Sequence, residues 1–406
     1  MGEHVVIIGG GQAGLQAAAS LRQNKYAGDV TILCAEECLP YQRPPLSKAY
    51  LKGELAGERL YFRPDDFFET QNINLRLSTR ATSIDPKKRI VETAAGDNLA
   101  YDRLLIATGA PPRKLNAPGG DLGGLYYLRT LKDSDALRPI LSRDGRIVIV
   151  GAGYIGLEVA AVMRAAGKDV TVLEMADRVL ARVASPPVSA FYAKLHADAG
   201  VEFRFKESLD SFVGKGDVEA VKTSSGDVIE CSAALIGIGA NPDIQIAKDA
   251  GLDVENGIVV DEFARTSDPN IWAAGDCANF PSKRYGRRLR LESVPNAIEQ
   301  AKAAATNMAG GDVVYDPLPW FWSDQYDVKL QTVGLIDGAD ETIVRRSPDT
   351  RKFSVWYFKD GALLAVDAIN EPAAFAMGKK ALTQGLSAAP ADLADETNDL
   401  RTLFTA

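Results

Sequence analysis

The regular hydrophobic pattern of the chain is concentrated in a few separate stretches. Residues 5–14, VVIIGGGQAG, are an uninterrupted apolar run that breaks into glycines and passes into LQAAASLRQ, whose apolar positions recur at helical spacing. A continuous apolar run of this length predicts a strand covered on both faces. The polar-bounded run DVTILCAE follows and predicts a second strand. The same order returns at 146–174, RIVIVGAGYIGLEVAAVMRAAGKDVTVLE, giving strand, glycine turn, helix and strand again. Two shorter runs, YDRLLIATGA (101–110) and TSDPNIWAAGDCA (266–278), predict strands that end in small residues and glycine. Beyond residue 314 the pattern changes: FSVWYFKDGALLAVDAIN predicts a hairpin turning at Asp360-Gly361, followed by a helix in AAFAMGKKALTQG.

These elements predict an α/β protein with two Rossmann-like dinucleotide-binding domains, one inserted in the other, and a small C-terminal α+β domain. The predicted boundaries are 1–114 with 246–313 for the outer domain, 115–245 for the inserted one and 314–406 for the last. Spacing supplies the chemistry. Gly9-x-Gly11-x-x-Gly14 gives a tight turn, a close approach of phosphate to backbone and a close packing of helix on strand. The helix N-terminus adds N–H groups and a positive dipole end for a pyrophosphate. Glu36, at the end of the next strand, is placed to accept from both ribose hydroxyls. Gly151, Gly153, Gly156 and Glu174 repeat the set. Two fingerprints imply two dinucleotides, which one chain most economically uses as a fixed FAD and an exchangeable nicotinamide. Glu174 would repel a 2′-phosphate, and Arg178 is the only cation close to it in sequence, so NADH is expected over NADPH. Asp276, directly after Gly275, offers a carboxylate to the ribityl polyol of FAD.

The whole chain is similar to the two-dinucleotide-binding flavoproteins that include glutathione reductase. Within them it resembles the FAD-dependent ferredoxin reductases of oxygenase systems, and most of all those serving cytochrome P450 chains. PPLSKAYL, YIGLEVAA, PPVSAFY, ESVPNA and FWSDQY carry the resemblance. It implies that Ala13, Glu36, Lys48, Ala81, Arg129, Asp276 and Val294 contact FAD, and that Trp322 lies over the flavin. Thr108, Gly109 and Gly239 join the cofactor-binding candidates. Arg43 departs from the P450-linked pattern, which has Leu before the Pro-Pro pair, and agrees with the Arg-Pro-Pro of dioxygenase-linked reductases. The resemblance further implies a Lys48–Glu158 ion pair beside flavin N5, with Lys48 opening the helix after the prolines. Lys48, Glu158 and Trp322 are therefore the catalytic candidates. Trp320, two residues from Trp322, shares its strand face and is open between core packing and a site role.

Cysteine placement narrows the chemistry. Disulfide reductases of this kind carry a reactive Cys pair after the first ribose-binding strand or a CxxC in the second domain, and Cys34, Cys38, Cys231 and Cys277 fit neither. Cys34 falls within the predicted strand. Electrons are thus expected to leave the flavin directly, one at a time, to a [2Fe–2S] ferredoxin. Dioxygenase-linked and rubredoxin reductases share the same first half-reaction. An NADH-sensing flavoprotein similar to the apoptosis-inducing factors is the reading from another class.

Composition adjusts this picture only at its edges. With 406 residues, 46% hydrophobic and 25% charged, the chain is ordinary for two or three domains. A net charge of −8 argues against a nucleic-acid partner. An acidic ferredoxin would need a local basic patch, and KRYGRRLR (283–290), with Arg287, Arg288 and Arg290, is the candidate, joined by Arg345-Arg346 and Lys379-Lys380. No metal site and no membrane span are expected. Four scattered cysteines suit a reducing cytoplasm.

Overall fold

The computed structural model describes residues 3–346 and 350–404, which fall into two compact units. The first comprises the chain through Gln42 with Gly57–Pro111 and Ala240–Pro319. Its centre is a five-stranded parallel sheet in the order Ile271–Ala273, Arg103–Ile106, His4–Ile8, Asp29–Leu33, Ile73–Arg76. Val5, Val6 and Ile7 are fully buried, so the strand shows no inside–outside alternation. Helices Gln12–Gln23 and Val294–Met308 bury alanine-rich faces together in the same core, through Ala17, Ala18, Ala301 and Ala304. The strand order reverses beside His4–Ile8, and its C-terminal end carries the glycine turn, as ligand sites in open α/β sheets require.

The second unit comprises Arg43–Ala56, Pro112–Gly239 and the chain from Trp320 onward. Its parallel sheet runs Val201–Phe205, Val170–Glu174, Ile147–Val150, Ala233–Ile236, Leu125–Tyr126. A three-stranded antiparallel sheet spans Leu209–Lys215, Asp217–Thr223 and Val228–Glu230. The C-terminal part is a five-stranded antiparallel sheet in the order Trp320–Gln325, Val328–Gly334, Ala362–Ile369, Phe353–Lys359, Glu341–Arg346, with helix Pro372–Gln384 against it. The predicted hairpin turn is present, Asp360 and Gly361 both at positive φ (51° and 75°), the geometry of a two-residue turn that matches strand twist.

The α/β class is as expected, and several local details differ. The chain re-enters the first unit at Ala240, ahead of the expected 246, because the two crossovers are tied together. Asn241 N donates to Pro111 O (3.0 Å) and Asp243 N to Gly109 O (2.9 Å). Residues 43–56 group with the second unit, held by Ser134 Oγ on Leu46 O (2.9 Å). Lys48 does not open a helix. Pro44–Ser47 themselves form a 3-10 turn, the prolines supplying preset φ where no N–H is needed, and Lys48 caps its end. Cys34 lies one residue past its strand, buried against Gly10. Arg345 is not a docking cation: its guanidinium spans the carbonyls of Leu393, Asp395, Glu396 and Asn398, fastening the C-terminal segment to the sheet.

Candidate functional site

In the first unit the glycine turn has the geometry of a phosphate cradle. Gly9 sits at φ +117°, and a Cβ there would stand 2.2 Å from Ala107 O. A Cβ on Gly14 would stand 1.9 Å from Gly9 O, so helix and strand meet at backbone distance. A Cβ on Gly11 meets nothing within 4 Å, leaving room for a ligand to approach the backbone. Gly11 also N-caps helix Gln12–Gln23 without any side-chain cap, so the helix's first N–H groups face that room unsatisfied by the chain. Tyr41 Oη donates to Glu36 Oε2 (2.5 Å), holding the ribose-binding candidate. Gly275, at φ +85°, comes so near the same helix that its Cβ would lie 3.1 Å from Ala13 Cβ. Asp276 is therefore delivered to the helix start. Val294 opens helix Val294–Met308, whose Gln300 Oε1 accepts from Gly275 N (2.9 Å). Ala13, Asp276 and Gly9–Gly14 thus converge. Ala81 starts strand Ala81–Asp85 in a separate antiparallel sheet, half-buried. Thr108 acts as a strut: its Oγ1 donates to Asp243 O (2.7 Å), and Gly109, at φ +77°, turns the chain there.

The second unit repeats the cradle. Gly151 is at φ +105° with a Cβ position 2.5 Å from Gly237 O, and that of Gly156 is 2.3 Å from Gly151 O. Gly153 meets only Gly237 O, at 4.0 Å. Glu174 Oε2 accepts from Ala152 N (2.7 Å) and Oε1 from Ala176 N (2.8 Å), so its carboxylate is held at the glycine loop itself. Arg178 is turned away from it, its donors spent on Ala181 O, Ala184 O and Ser189 Oγ. Gly239, at φ +104°, stands instead beside Arg182, whose Nη2 is 3.2 Å from its Cβ position. Arg182 is a cation that sequence spacing did not single out.

Lys48 and Glu158 are brought together as expected, Nζ to Oε2 at 2.6 Å, with the Glu158 side chain 6% exposed. Glu158 lies on helix Tyr154–Ala165, on the face buried with Leu157 and Ala161. Two residues missing from the sequence reading complete the pair: Ser47 Oγ donates to Glu158 Oε2 (2.5 Å) and Ser323 Oγ to Oε1 (2.6 Å). Both carboxylate oxygens are satisfied, the condition under which a buried ion pair persists. Both serines lie within stretches that carry the resemblance, PPLSKAYL and FWSDQY, but no local spacing joins them to Glu158, which is 165 residues from Ser323. Arg43 Nη1 donates to Arg129 O (2.7 Å), so these two candidates also meet. Arg129 N and Thr130 N both donate to Asp133 Oδ2, the capping box of helix Leu131–Leu137. Trp322 is half-buried. Trp320 lies outside the core, its ring 5.7 Å from Trp322 and facing Lys379 Nζ at 5.0 Å.

All four cysteines are free thiols. Burial pushes Cys231 up to about 11 and also raises Cys277, which makes both unreactive. Among the described residues no His, Cys, Asp or Glu cluster could hold a metal, and no helix is long and apolar enough to cross a membrane. The expected basic patch is partly consumed by the fold. Arg288 is spent on Val260 O and on Asn279, and Arg290 on Asp276 O (3.0 Å) and Glu292 (2.6 Å). Lys283, Arg284 and Arg287 are exposed.

Two glycine cradles are each followed by an acid, Glu174 at the end of its strand and Glu36 three residues past Leu33 rather than at the expected strand end, an arrangement suited to two dinucleotides. Residues 3–301 match the pyridine nucleotide-disulphide oxidoreductases, and residues 320–404 match the reductase C-terminal domain. Putidaredoxin reductase CamA of Pseudomonas putida is 43% identical over 410 residues, covering 100% of this chain and 97% of that protein. The structure of the ferredoxin reductase for the CYP199A2 system of Rhodopseudomonas palustris superposes with a TM-score of 0.96 at 42% identity, over 99% of this chain and 100% of that one. The reductase in the covalent putidaredoxin reductase–putidaredoxin complex gives a TM-score of 0.95 at 43% identity, over 99% and 98%. The chain belongs to the pyridine nucleotide-disulphide oxidoreductase family and is an FAD-dependent oxidoreductase that uses NAD(H).

Proposed function

We propose that the protein is an NADH-dependent reductase of a [2Fe–2S] ferredoxin that serves a cytochrome P450, working in the cytoplasm. The observation that carries it is the Lys48–Glu158 pair, its carboxylate buried and its ammonium half-buried, in a chain whose Cys231 and Cys277 thiols are raised by burial. The names of the relatives point the same way. Gly9, Gly11, Ala13, Gly14, Glu36, Ala81, Thr108, Gly109, Asp276 and Val294 are assigned to FAD, with Arg43, Lys48, Arg129 and Trp322. Gly151, Gly153, Gly156, Glu174 and Gly239 are assigned to NADH. FAD when bound accepts a hydride from NADH and releases electrons singly. The Lys48 ammonium would offset the negative charge that arrives with the hydride, and Glu158 holds that side chain in place through the ion pair. Trp322 is assigned to the flavin from the resemblance alone.

Rapid mixing with NADH should bleach the oxidised flavin band, and adding putidaredoxin with cytochrome c should give ferredoxin-dependent turnover. Flavin reduction without turnover on any [2Fe–2S] ferredoxin would sink the acceptor assignment and favour a sensor. Replacing Lys283, Arg284 and Arg287 by Gln should raise the KM for ferredoxin roughly tenfold at low salt, with ferricyanide reduction unchanged. Arg288 is unsuitable for this test because it braces Val260 and Asn279. Glu174→Ala should raise the NADPH-to-NADH ratio of kcat/KM by about tenfold, since it removes both the ribose acceptor and the like charge.

A further inference from the structure

Behind the Lys48–Glu158 pair, within the second unit, runs a line of buried polar side chains that the proposed function does not use. Ser323 Oγ is 2.6 Å from Glu158 Oε1, and Gln325 Nε2 is 3.3 Å from Ser323 Oγ. His196 Nε2 is 2.8 Å from Gln325 Oε1, and Tyr326 Oη is 3.2 Å from His196 Nδ1. Ser323, Gln325 and His196 are at most 1% exposed.

Counting protons fixes the direction of every bond. Glu158 pairs with Lys48 as a carboxylate and can only accept, so the single hydroxyl proton of Ser323 points to it. Ser323 then has only a lone pair for Gln325, which must present its NH2 there and its carbonyl to His196. A carbonyl cannot donate, so His196 carries its proton on Nε2. Burial pushes His196 down to about 4, leaving one ring proton at neutral pH and Nδ1 as the acceptor from Tyr326. Five groups donate or accept in one direction only, all toward Glu158.

The backbone supports the same assignment. Tyr326 turns the hairpin between strands Trp320–Gln325 and Val328–Gly334 at φ +55°, where Gly or Asn would sit without strain. An aromatic side chain held there against its preference has its ring 5.0 Å from that of His196 and its hydroxyl on Nδ1.

We propose that Tyr326, His196, Gln325 and Ser323 are positioning residues, a one-way hydrogen-bond chain that fixes one oxygen of Glu158 and leaves the other turned to Lys48. Its effect on hydride transfer rests on the function proposed above; its direction does not. The chain acts on the rate of flavin reduction and leaves NADH affinity alone, because none of its members belongs to the glycine cradle or Glu174.

The test uses the FAD-loaded protein with 15N-labelled histidine, of which the chain has only two residues, His4 and His196. At pH 7 His196 should show the neutral Nε2–H tautomer, and Gln325→Leu should convert it to a mixture. The same variant should slow flavin reduction by NADH about tenfold at saturating NADH, with KM changed less than twofold. Gln325→Glu can donate to Ser323 only while protonated, so its rate should recover as pH falls and drop as pH rises, a limb the parent protein lacks. An Nδ1–H or doubly protonated His196 in the parent protein would overturn the chain. The expected tautomer with an unslowed Gln325→Leu would overturn the positioning role. A parent protein that NADH does not reduce would instead overturn the proposed function, with the tautomer result still standing.

Discussion

Lys48→Met is expected to slow reduction of the flavin by NADH roughly 100-fold, the loss typical when one preorganised charge is removed from a site of developing negative charge. It also strands Glu158, whose carboxylate is buried and would keep only the Ser47 and Ser323 hydroxyls. Breaking a fully buried pair from one side costs about 3–5 kcal/mol, and the part-exposed Lys48 places this pair below that range. The thermal unfolding midpoint should therefore fall together with the rate. The double variant Lys48→Met/Glu158→Gln separates the two effects, since a neutral amide needs no counter-ion. Its unfolding midpoint should return toward that of the parent while the rate stays low. Stopped-flow absorbance and thermal unfolding read the two outcomes. A Lys48→Met rate within threefold of the parent would remove Lys48 from the chemistry.

Gly11→Ala should leave the fold intact and weaken FAD retention by about 10- to 100-fold, corresponding to the ~1–3 kcal/mol cost of forcing a methyl group into an occupied space. Gly11 has φ −83° and ψ −166°, which any residue adopts, and its Cβ position has no chain atom within 4 Å. Only a ligand can object to the methyl. Gly9→Ala is the contrasting control: at φ +117° and 2.2 Å from Ala107 O, it should damage the fold as well as the flavin content. Gly153→Ala carries the same logic to the second cradle, raising the KM for NADH with flavin content unchanged. Circular dichroism and bound-flavin absorbance distinguish the variants. Full flavin content in Gly11→Ala would mean that the phosphates do not cross that glycine.

The two cradles were legible because their requirements are local: a strand, a glycine turn and a helix start lie within about ten consecutive residues, and the acid follows one strand later. Lys48 and Glu158 were reached through resemblance, since nothing in their own spacing joins residues 110 positions apart. Misplacements came where one local preference competed with another. Lys48 was expected to open a helix after the prolines, yet prolines at the first positions of a short helix are favourable, so Pro44–Ser47 themselves form the 3-10 turn and Lys48 its cap. KRYGRRLR reads as one basic surface, yet Arg288 and Arg290 each found nearby carbonyls and were spent there.

By itself the sequence determined the α/β class, the two glycine cradles, the acid that follows each of them and the hairpin turn at Asp360-Gly361. Each of these depends on φ preference, hydrophobic period or the distance along a few residues of chain. Tertiary structure alone decided which side chains surround the charged pair. Ser47 and Ser323 come from separate segments and meet because packing buries Glu158, whose carboxylate must be satisfied, and Gln325 and His196 follow because each buried polar group behind Ser323 needs a partner in turn.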